Sequence, residues 1–577
     1  MTTDRKFKLA WGLGLHLGAS LLSMGALAHE TQRKTELFNP GVGVADAETV
    51  QPATANGGRP VLYEGLGNRT VPVTTASAEA QAYFDQGLTL SWAFNHAEAL
   101  RAFREAQRLD PNCAMCFWGE AFAHGSNIND PMHDEAIAPA YAALGKALEL
   151  KGAASAKERA LIEALSRRYA PDASADRAVL NVAWADSMRD VAAAYKSDVD
   201  VQVLFADALM NLQPWDYWEA GGTTTKGIGA ELVATLEAAL KIDPDHPAAA
   251  HLYIHTVEAS ATPELAEPYA DRLRNAVPAA GHLVHMPSHI YVRVGRYADA
   301  LQANRDAIKA DEAMLAQVGE LASPLFRFGY YPHNVHFLMI SAQLAGSRQD
   351  VLEAAAKLNE VTSDQVSEEL AWVQAIKTAP YTGHAQFSEP DVILELPDPG
   401  DRFPLVKGFW HYTRGIAHAR NGDFAAAGAE AEAIGGIVET ADFSGLEAQY
   451  LPARDLLGIA RHLVEARVSQ MQGRLAEAED KLSAAVALQD GIPYMEPPYW
   501  YYPVRQTLGA VLLQQDKPAE AIEIFQQALK EQPRNGWALW GLAQAQLVLD
   551  VEAAAITEAA FQKAWAGEKA LLTLDRL

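Results

Sequence analysis

Cysteine is nearly absent from the sequence, which has two among 577 residues, Cys113 and Cys116. A framework of several disulfides is therefore excluded. The two stand three apart in "DPNCAMCFWGEA", at the predicted start of a helix. In an oxidising compartment a local disulfide is the leading interpretation, with a redox dithiol or metal ligation by the pair as the alternatives.

Basic residues are also scarce, with 47 Lys and Arg against 73 Asp and Glu. The formal net charge of −26 repels phosphate backbones and anionic lipid surfaces. We therefore do not expect nucleic acid as a partner.

Long apolar runs are missing except at the N-terminus, where Arg5, Lys6 and Lys8 precede the run 9–27. The small residues Ala26 and Ala28 match a signal-peptidase site, so residues 1–28 are predicted to be a signal peptide cleaved after Ala28. The alternative is an uncleaved membrane anchor. We expect the mature chain to be exported to a periplasm or secreted, without a membrane segment.

Strand patterns and familiar catalytic motifs are missing too. From residue 78 the chain has a helical pattern, with no alternating apolar and polar run. It has no Ser-His-Asp elbow and no HExxH motif, and in "EAGGTTTKGIGAEL" the glycine Gly227 follows Lys226, the wrong order for a phosphate loop. The sequence therefore predicts an all-α fold that does not bind nucleotides.

Two distant segments share one spacing of small, aromatic and proline residues, at offsets of 12, 16, 19 and 24 from a glycine. The first set is Gly87, Ala99, Phe103, Ala106 and Pro111, and the second is Gly509, Ala521, Phe525, Ala528 and Pro533. This spacing resembles the tetratricopeptide repeat, a helix-turn-helix unit of 34 residues. The resemblance implies a right-handed α-solenoid with a concave inner face, interrupted here by irregular helical insertions near 125–200 and 360–405.

The predicted organisation follows from this pattern. It comprises a signal peptide (1–28), a flexible lead-in (29–77), N-terminal helical repeats with an insertion (78–235), histidine-rich units (236–358) and C-terminal tetratricopeptide repeats (359–577).

Histidine is concentrated in the middle of the chain, where eight of 17 histidines fall between His246 and His336. His251 and His285 are 34 residues apart, and so are His255 and His289, so two adjacent units carry histidine at the same places. The family resemblance places one set of side chains on the concave face of three consecutive units: His251, His255, Glu258, His282, His285, His289, His333 and His336. Helix geometry alone also puts the histidines of each of the first two units on one face, although Pro287 interrupts the second helix and would leave His282 and His285 on the approach to it.

Two classes of function fit this pattern. Neutral imidazole is a common metal ligand, so the groove is predicted to bind one or two transition-metal ions, copper, zinc or iron, for oxidation, storage or sensing. The alternative is a metal-free scaffold that binds a peptide or protein partner in the concave groove. A metal-independent enzyme with a histidine general base is a third hypothesis, without a nucleophile to support it.

Two aromatic segments, "QPWDYW" and "PPYWYYP", allow two interpretations. They form one wall of a ligand cavity, or they fill gaps in the core between irregular units.

Overall fold

A computed structural model describes residues 59–172 and 174–577. This part of the chain consists of helices and turns and contains no β-strand. None of its helices combines the length and the apolar character that a membrane span requires. The predicted signal peptide and residues 29–58 of the predicted lead-in lie outside the described residues.

The helices follow one another with short turns. Those of the first half are α1 (Ala78–Trp92), α2 (His96–Leu109), α3 (Ala114–Ala123), α4 (Asp134–Leu150), α5 (Ala156–Leu165), α6 (Arg177–Ala194), α7 (Val199–Met210), α8 (Gly229–Ile242), α9 (Pro247–Val257), α10 (Glu267–Leu273), α11 (Gly281–His285), α12 (Pro287–Arg293), α13 (Tyr297–Val318) and α14 (Tyr331–Ala345). Those of the second half are α15 (Arg348–Val361), α16 (Asp364–Glu369), α17 (Ala371–Ile376), α18 (Ala379–Phe387), α19 (Pro390–Leu394), α20 (Pro404–Arg420), α21 (Phe424–Thr440), α22 (Ser444–Glu447), α23 (Ala453–Met471), α24 (Leu475–Gly491), α25 (Val504–Gln514), α26 (Pro518–Glu531), α27 (Gly536–Leu549) and α28 (Val551–Ala564). Short 3-10 turns occur at Lys151–Ala153, Pro263–Ala266, Gly319–Leu321 and Lys569–Leu571, and a π-helical turn, Phe326–Tyr330, leads into α14.

Consecutive helices pack in pairs and the pairs stack in chain order, so the predicted all-α solenoid is confirmed. Helix α1 packs on α2, α13 on α14, α20 on α21, α23 on α24 and α27 on α28. The turn glycine Gly346 has φ +82°, a left-handed conformation that suits a helix C-terminus.

The glycine and phenylalanine positions of the repeat form tight contacts between helices. A methyl group on Gly87 would lie 2.8 Å from the ring of Phe103, and one on Gly119 of the next unit would lie 2.3 Å from the same ring. Near the C-terminus, Gly509 and Gly541 enclose the ring of Phe525 in the same way, at 2.7 and 2.3 Å. Each fully buried phenylalanine therefore fills a space that two glycines leave open.

The stack of helices coils far enough for its last units to contact its middle. The Tyr297 hydroxyl donates to the Pro533 carbonyl at 2.9 Å, and the Trp537 indole donates to the Gln343 carbonyl at 2.8 Å. Buried apolar side chains accordingly form two cores, one from Leu66 to Tyr330 and one from Tyr297 to Leu577. The segment 492–503, between α24 and α25, is thereby placed against the histidine-bearing helices.

Residues 59–77 differ from the expected flexible lead-in. Arg69 donates to Asp200 and Asp243, and the Tyr83 hydroxyl donates to the Pro60 carbonyl at 2.6 Å. These bonds fix the segment against the first helices, because its polar groups find partners there that a sequence pattern does not reveal. Of the two predicted insertions, the second consists of the short helices α16 to α19, whereas most of the first folds into the longer helices α4 to α6.

Candidate metal centre

Helices α9, α11, α12 and α14 bring the predicted histidines together in the interior. The side chains of His251, His255, His282, His285 and His289 are at most 4% exposed. The predicted concave surface is thus enclosed at these side chains: Phe94 and Trp215 lie against the rings of His251 and His255, and Glu496 of the segment 492–503 contacts His289. A buried polar cluster of this size requires partners for its nitrogen atoms.

The first trio consists of His251, His255 and His282, which each offer one nitrogen within 4.8 Å of the other two. The Nε2 atoms of His251 and His282 lie 3.1 Å apart. Two nitrogens bound to one ion at about 2.0–2.1 Å are themselves about 3 Å apart, so this spacing suits a shared ion. Nε2 of His255 is buried and has no hydrogen-bond partner among the described residues.

The second trio consists of His285, His289 and His333, whose nitrogens also lie within 4.8 Å of one another. The Nε2 atoms of His285 and His289 are 2.7 Å apart. These two residues are one turn apart in the chain, so their rings converge from one face of the α11–α12 segment. The ring of His333 approaches from α14, with its centroid 4.9 Å from that of His285.

The Nδ1 atoms of three of these histidines bond to acceptors behind the rings. His255 Nδ1 donates to Glu258 Oε1 at 3.0 Å and His289 Nδ1 donates to Glu258 Oε2 at 2.8 Å. His285 Nδ1 donates to Asn304 Oδ1 at 2.6 Å. An acceptor at Nδ1 fixes the tautomer and orients the ring, so that Nε2 remains available as a ligand.

The two trios are neighbours. The ring centroids of His255 and His289 are 5.6 Å apart, and those of His282 and His285 are 6.1 Å apart. Glu258 connects the trios, because each of its oxygens accepts from one of them. The arrangement can hold two adjacent ions.

Two further residues of the centre come from the segment 492–503 and were not predicted from the sequence. Glu496 contacts Nδ1 of His289, and its carboxylate forms a third potential ligand group with His255 and Glu258. The Tyr494 hydroxyl donates to Glu258 Oε2 at 3.0 Å, across 236 residues of chain. The only signal in the sequence is an acid enclosed by aromatic residues and prolines in "PYMEPPYWYYP".

Burial and the two carboxylates determine the charge of the centre. Burial lowers the pKa of His251, His282, His285 and His333 well below the usual value, which leaves these rings neutral and able to bind a metal. Burial also acts to lower the pKa of His289, but Glu496 and Glu258 raise it to about 10.

The carboxylates themselves have opposite shifts. Burial raises the pKa of Glu496 well above its usual value, and the negative charge of Glu258 adds to this effect. Burial would also raise the pKa of Glu258, but the charge of His289 and the hydrogen bond from His255 hold it well below the usual value. A protonated His289 therefore pairs with an ionised Glu258, and a bound cation would take the place of that proton.

Comparisons with known proteins agree with the geometry of the helix pairs. The sequence model of the tetratricopeptide repeat matches residues 512–560. Residues 512–560 therefore contain a tetratricopeptide repeat, and the described part of the chain has the all-α solenoid fold that such repeats form. No curated protein matches it.

Solved structures with related helix arrangements include the human IFIT1 dimer with m7Gppp-AAAA. It is 12% identical to the repeat protein, with a TM-score of 0.30, and the match covers 85% of this chain and 91% of that one. Yeast Tom70 is 10% identical, with a TM-score of 0.25, and the match covers 85% of this chain and 93% of that one. These scores are too low to support any inference about shared ligands.

Two aromatic residues of the repeat protein cover the first trio in an unusual backbone conformation. Phe94 and Trp215 have φ of +56° and +67°, values that cost a bulky residue about 1–3 kcal/mol. The ring centroid of Phe94 is 4.7 Å from that of His251, and the centroid of Trp215 is 5.0 Å from that of His255. Two aromatic residues with strained backbones therefore lie against the rings of the first trio and help to enclose it.

The repeat protein differs from the sequence prediction at two histidine positions. His336 joins neither trio; it is buried, and its ring centroid lies 5.9 Å from that of Tyr501. It stands three residues after His333, about 60° away around the helix, which is enough to turn it aside. Pro287 does not disperse the other histidines, because Met286 keeps helical angles (φ −49°, ψ −39°) and α11 continues directly into α12.

The two cysteines of the repeat protein lie outside both trios. Their sulfur atoms are 2.09 Å apart, the distance of a disulfide, and both side chains are fully buried at the start of α3.

Proposed function

We propose that this protein binds one or two transition-metal ions in the two histidine trios. The observation that supports this most strongly is that the two nitrogens of these rings have different partners. The Nε2 atoms of His251 and His282 face each other, as do those of His285 and His289, whereas the Nδ1 atoms of His255, His285 and His289 are bound by Glu258 and Asn304. Imidazole and carboxylate ligands favour copper(II), zinc or iron over copper(I).

Three histidines around one ion leave coordination positions open, as in catalytic rather than structural zinc sites. A bound ion would supply Lewis-acid or redox chemistry at those positions. Metal-dependent oxidation, storage and sensing are all compatible with this site, and an adjacent cavity that reaches His289 favours a site that also takes a small molecule.

Metal content per chain tests the proposal. We would express the full chain with its own N-terminal segment and measure bound metals by elemental mass spectrometry. The wild type should contain at least one and at most two ions, and His285→Ala/His289→Ala should lose one or both. His411→Ala/His462→Ala is the matched control, because these histidines pair with Glu430 and Glu465 outside the trios. A wild type that contains no ion and takes up no added copper, zinc or iron would contradict the proposal.

Partner binding is a second candidate function. The tetratricopeptide repeats fit a protein-interaction role. Five of the six trio histidines are at most 4% exposed, so a peptide or protein partner would have to bind mainly elsewhere on the repeats. The exposed apolar side chains of the last helix pair support such a surface: Leu547, Val548, Leu549, Val551 and Ile556.

We also propose that the chain is exported and cleaved after Ala28. The basic residues, apolar run and small residues at 1–28 support this. N-terminal sequencing of the purified protein should begin at His29, and a start at Met1 or Thr2 would contradict cleavage.

A further inference from the structure

A cavity of about 200 Å³ lies beside the second trio. His289, Glu258 and Glu496 form part of its lining, so the cavity reaches the candidate metal centre. A small molecule in this cavity could approach an ion held by the second trio.

The walls of the cavity are largely apolar. Helix α14 contributes Phe337, Ile340 and Leu344, and the segment 492–503 contributes prolines and Trp500. An apolar cavity of about 150 Å³ is enough to hold a benzene molecule. The space here therefore suits one ring, or an aliphatic body of similar size, with a small substituent.

One cation in the lining has no anionic partner. Arg293 donates to the Ser260 carbonyl at 3.0 Å and lies over the ring of Tyr494, with Cζ 5.4 Å from the centroid. Its Nε is buried, and among the described residues this atom has no hydrogen-bond partner. The ion pairs found among the described residues of the cavity join His255 or His289 to Glu258 or Glu496, and Arg505 to Glu531; Arg293 is in none of them, so its charge is available to a ligand.

Helix geometry places this arginine close to the centre. Arg293 follows His289 by four residues in α12, so both side chains leave the same face of the helix, one turn apart. The other acid of the cavity, Glu531, is already paired with Arg505 at 2.8 Å. Glu258 is bonded to His255 and His289, and Glu496 contacts His289, so each acid of the cavity already has a partner other than Arg293.

We propose that this cavity binds a small carboxylic acid with an apolar, ring-sized body. Its carboxylate pairs with Arg293, and its body packs between α14 and the segment 492–503. The position of the ligand beside a metal ion rests on the proposed function. The binding of the ligand depends only on Arg293 and the apolar walls.

Calorimetric titration of the full chain with benzoate tests this proposal, with benzyl alcohol as the uncharged probe. Benzoate should bind with saturation, and at least about ten-fold more tightly than benzyl alcohol, because a charge-assisted hydrogen bond is lost with the alcohol. Arg293→Gln should weaken benzoate binding by a similar factor, and Leu344→Phe should weaken it by filling the cavity. Arg272→Gln is the matched control, since this exposed arginine pairs with Asp245 and should change the affinity by less than two-fold.

Each titration would be run on metal-loaded and on chelator-treated protein whose metal content has been measured. Benzoate binding that depends on Arg293 supports the cavity site in either state, even if the protein proves to hold no metal. Absence of benzoate binding in both states, or equal affinity in wild type, Arg293→Gln and Leu344→Phe, would overturn the site. A loaded metal centre without benzoate binding would overturn this proposal and leave the metal centre standing.

Discussion

The same 34-residue spacing produces two different helix contacts in this molecule. In the terminal repeats, a phenylalanine fills the space between two glycines, as Phe525 does between Gly509 and Gly541. In the middle repeats, the corresponding inner helices carry imidazole rings that are backed by Glu258 and Asn304. The apolar phenylalanine–glycine contacts stabilise the stack, whereas buried imidazoles cost free energy unless their nitrogens are bound. The difference teaches that a solenoid can use some units for stability and others for chemistry.

The largest expected effect concerns the apolar phenylalanine–glycine contacts. Phe525→Ala should lower the free energy of unfolding by about 3–5 kcal/mol, because it leaves a cavity between two glycines. Metal content per folded chain should not change. Thermal denaturation and elemental analysis of the same sample check both statements. A loss of metal from folded protein would show that the terminal repeats also contribute to metal binding.

Removing the charge of Glu258 should have the next largest effect, this time on the metal centre. Glu258→Gln takes the carboxylate from behind both His255 and His289, so metal affinity should fall about 10- to 100-fold. Competition titration with a chelator measures this change. Glu477→Gln, at an exposed ion pair with Arg474, is the control and should leave the affinity unchanged. An affinity equal to that of the wild type would show that Glu258 does not orient the ligands.

A smaller effect is expected at the acceptor behind His285. Asn304→Ala removes the bond to His285 Nδ1 and should weaken metal binding about ten-fold. Asn304→Asp keeps an acceptor there and should retain affinity within a few-fold of the wild type. The same chelator competition separates the two variants, and equal losses in both would indicate a packing role only.

The smallest effect is expected where the segment 492–503 meets the centre. Tyr494→Phe removes the hydroxyl that donates to Glu258, but the bonds from His255 and His289 remain. Stability should fall by about 1–2 kcal/mol, with metal affinity changed by less than three-fold. A complete loss of metal in this variant would mean that the segment, rather than the repeats, holds the ion.

The sequence predicts the parts of the site that repeat. His251 and His285, and His255 and His289, are found because their spacing equals the length of one unit, and Glu258 follows from the same register. Phe103 and Phe525 reveal the helix pairs for the same reason.

What the sequence does not predict depends on how far the stack coils. Glu496 and Tyr494 reach the centre only because the last units return to the middle of the chain, through contacts across 194 and 236 residues that no local pattern encodes. Asn304 was missed because a single buried amide on α13 has no periodic counterpart. The repeat position of His336 predicts that it lies in the groove, although its ring lies against Tyr501.

The central claim is that metal ions bind to imidazole nitrogens within each of the two trios. A crystal structure of metal-loaded protein, with anomalous scattering recorded at the absorption edge of the bound metal, tests this most directly. We predict one anomalous peak within about 2.0–2.1 Å of nitrogens of His251, His255 or His282, or of His285, His289 or His333, and two peaks at full occupancy. Peaks elsewhere on the chain, or none at either trio in loaded protein, would contradict the account.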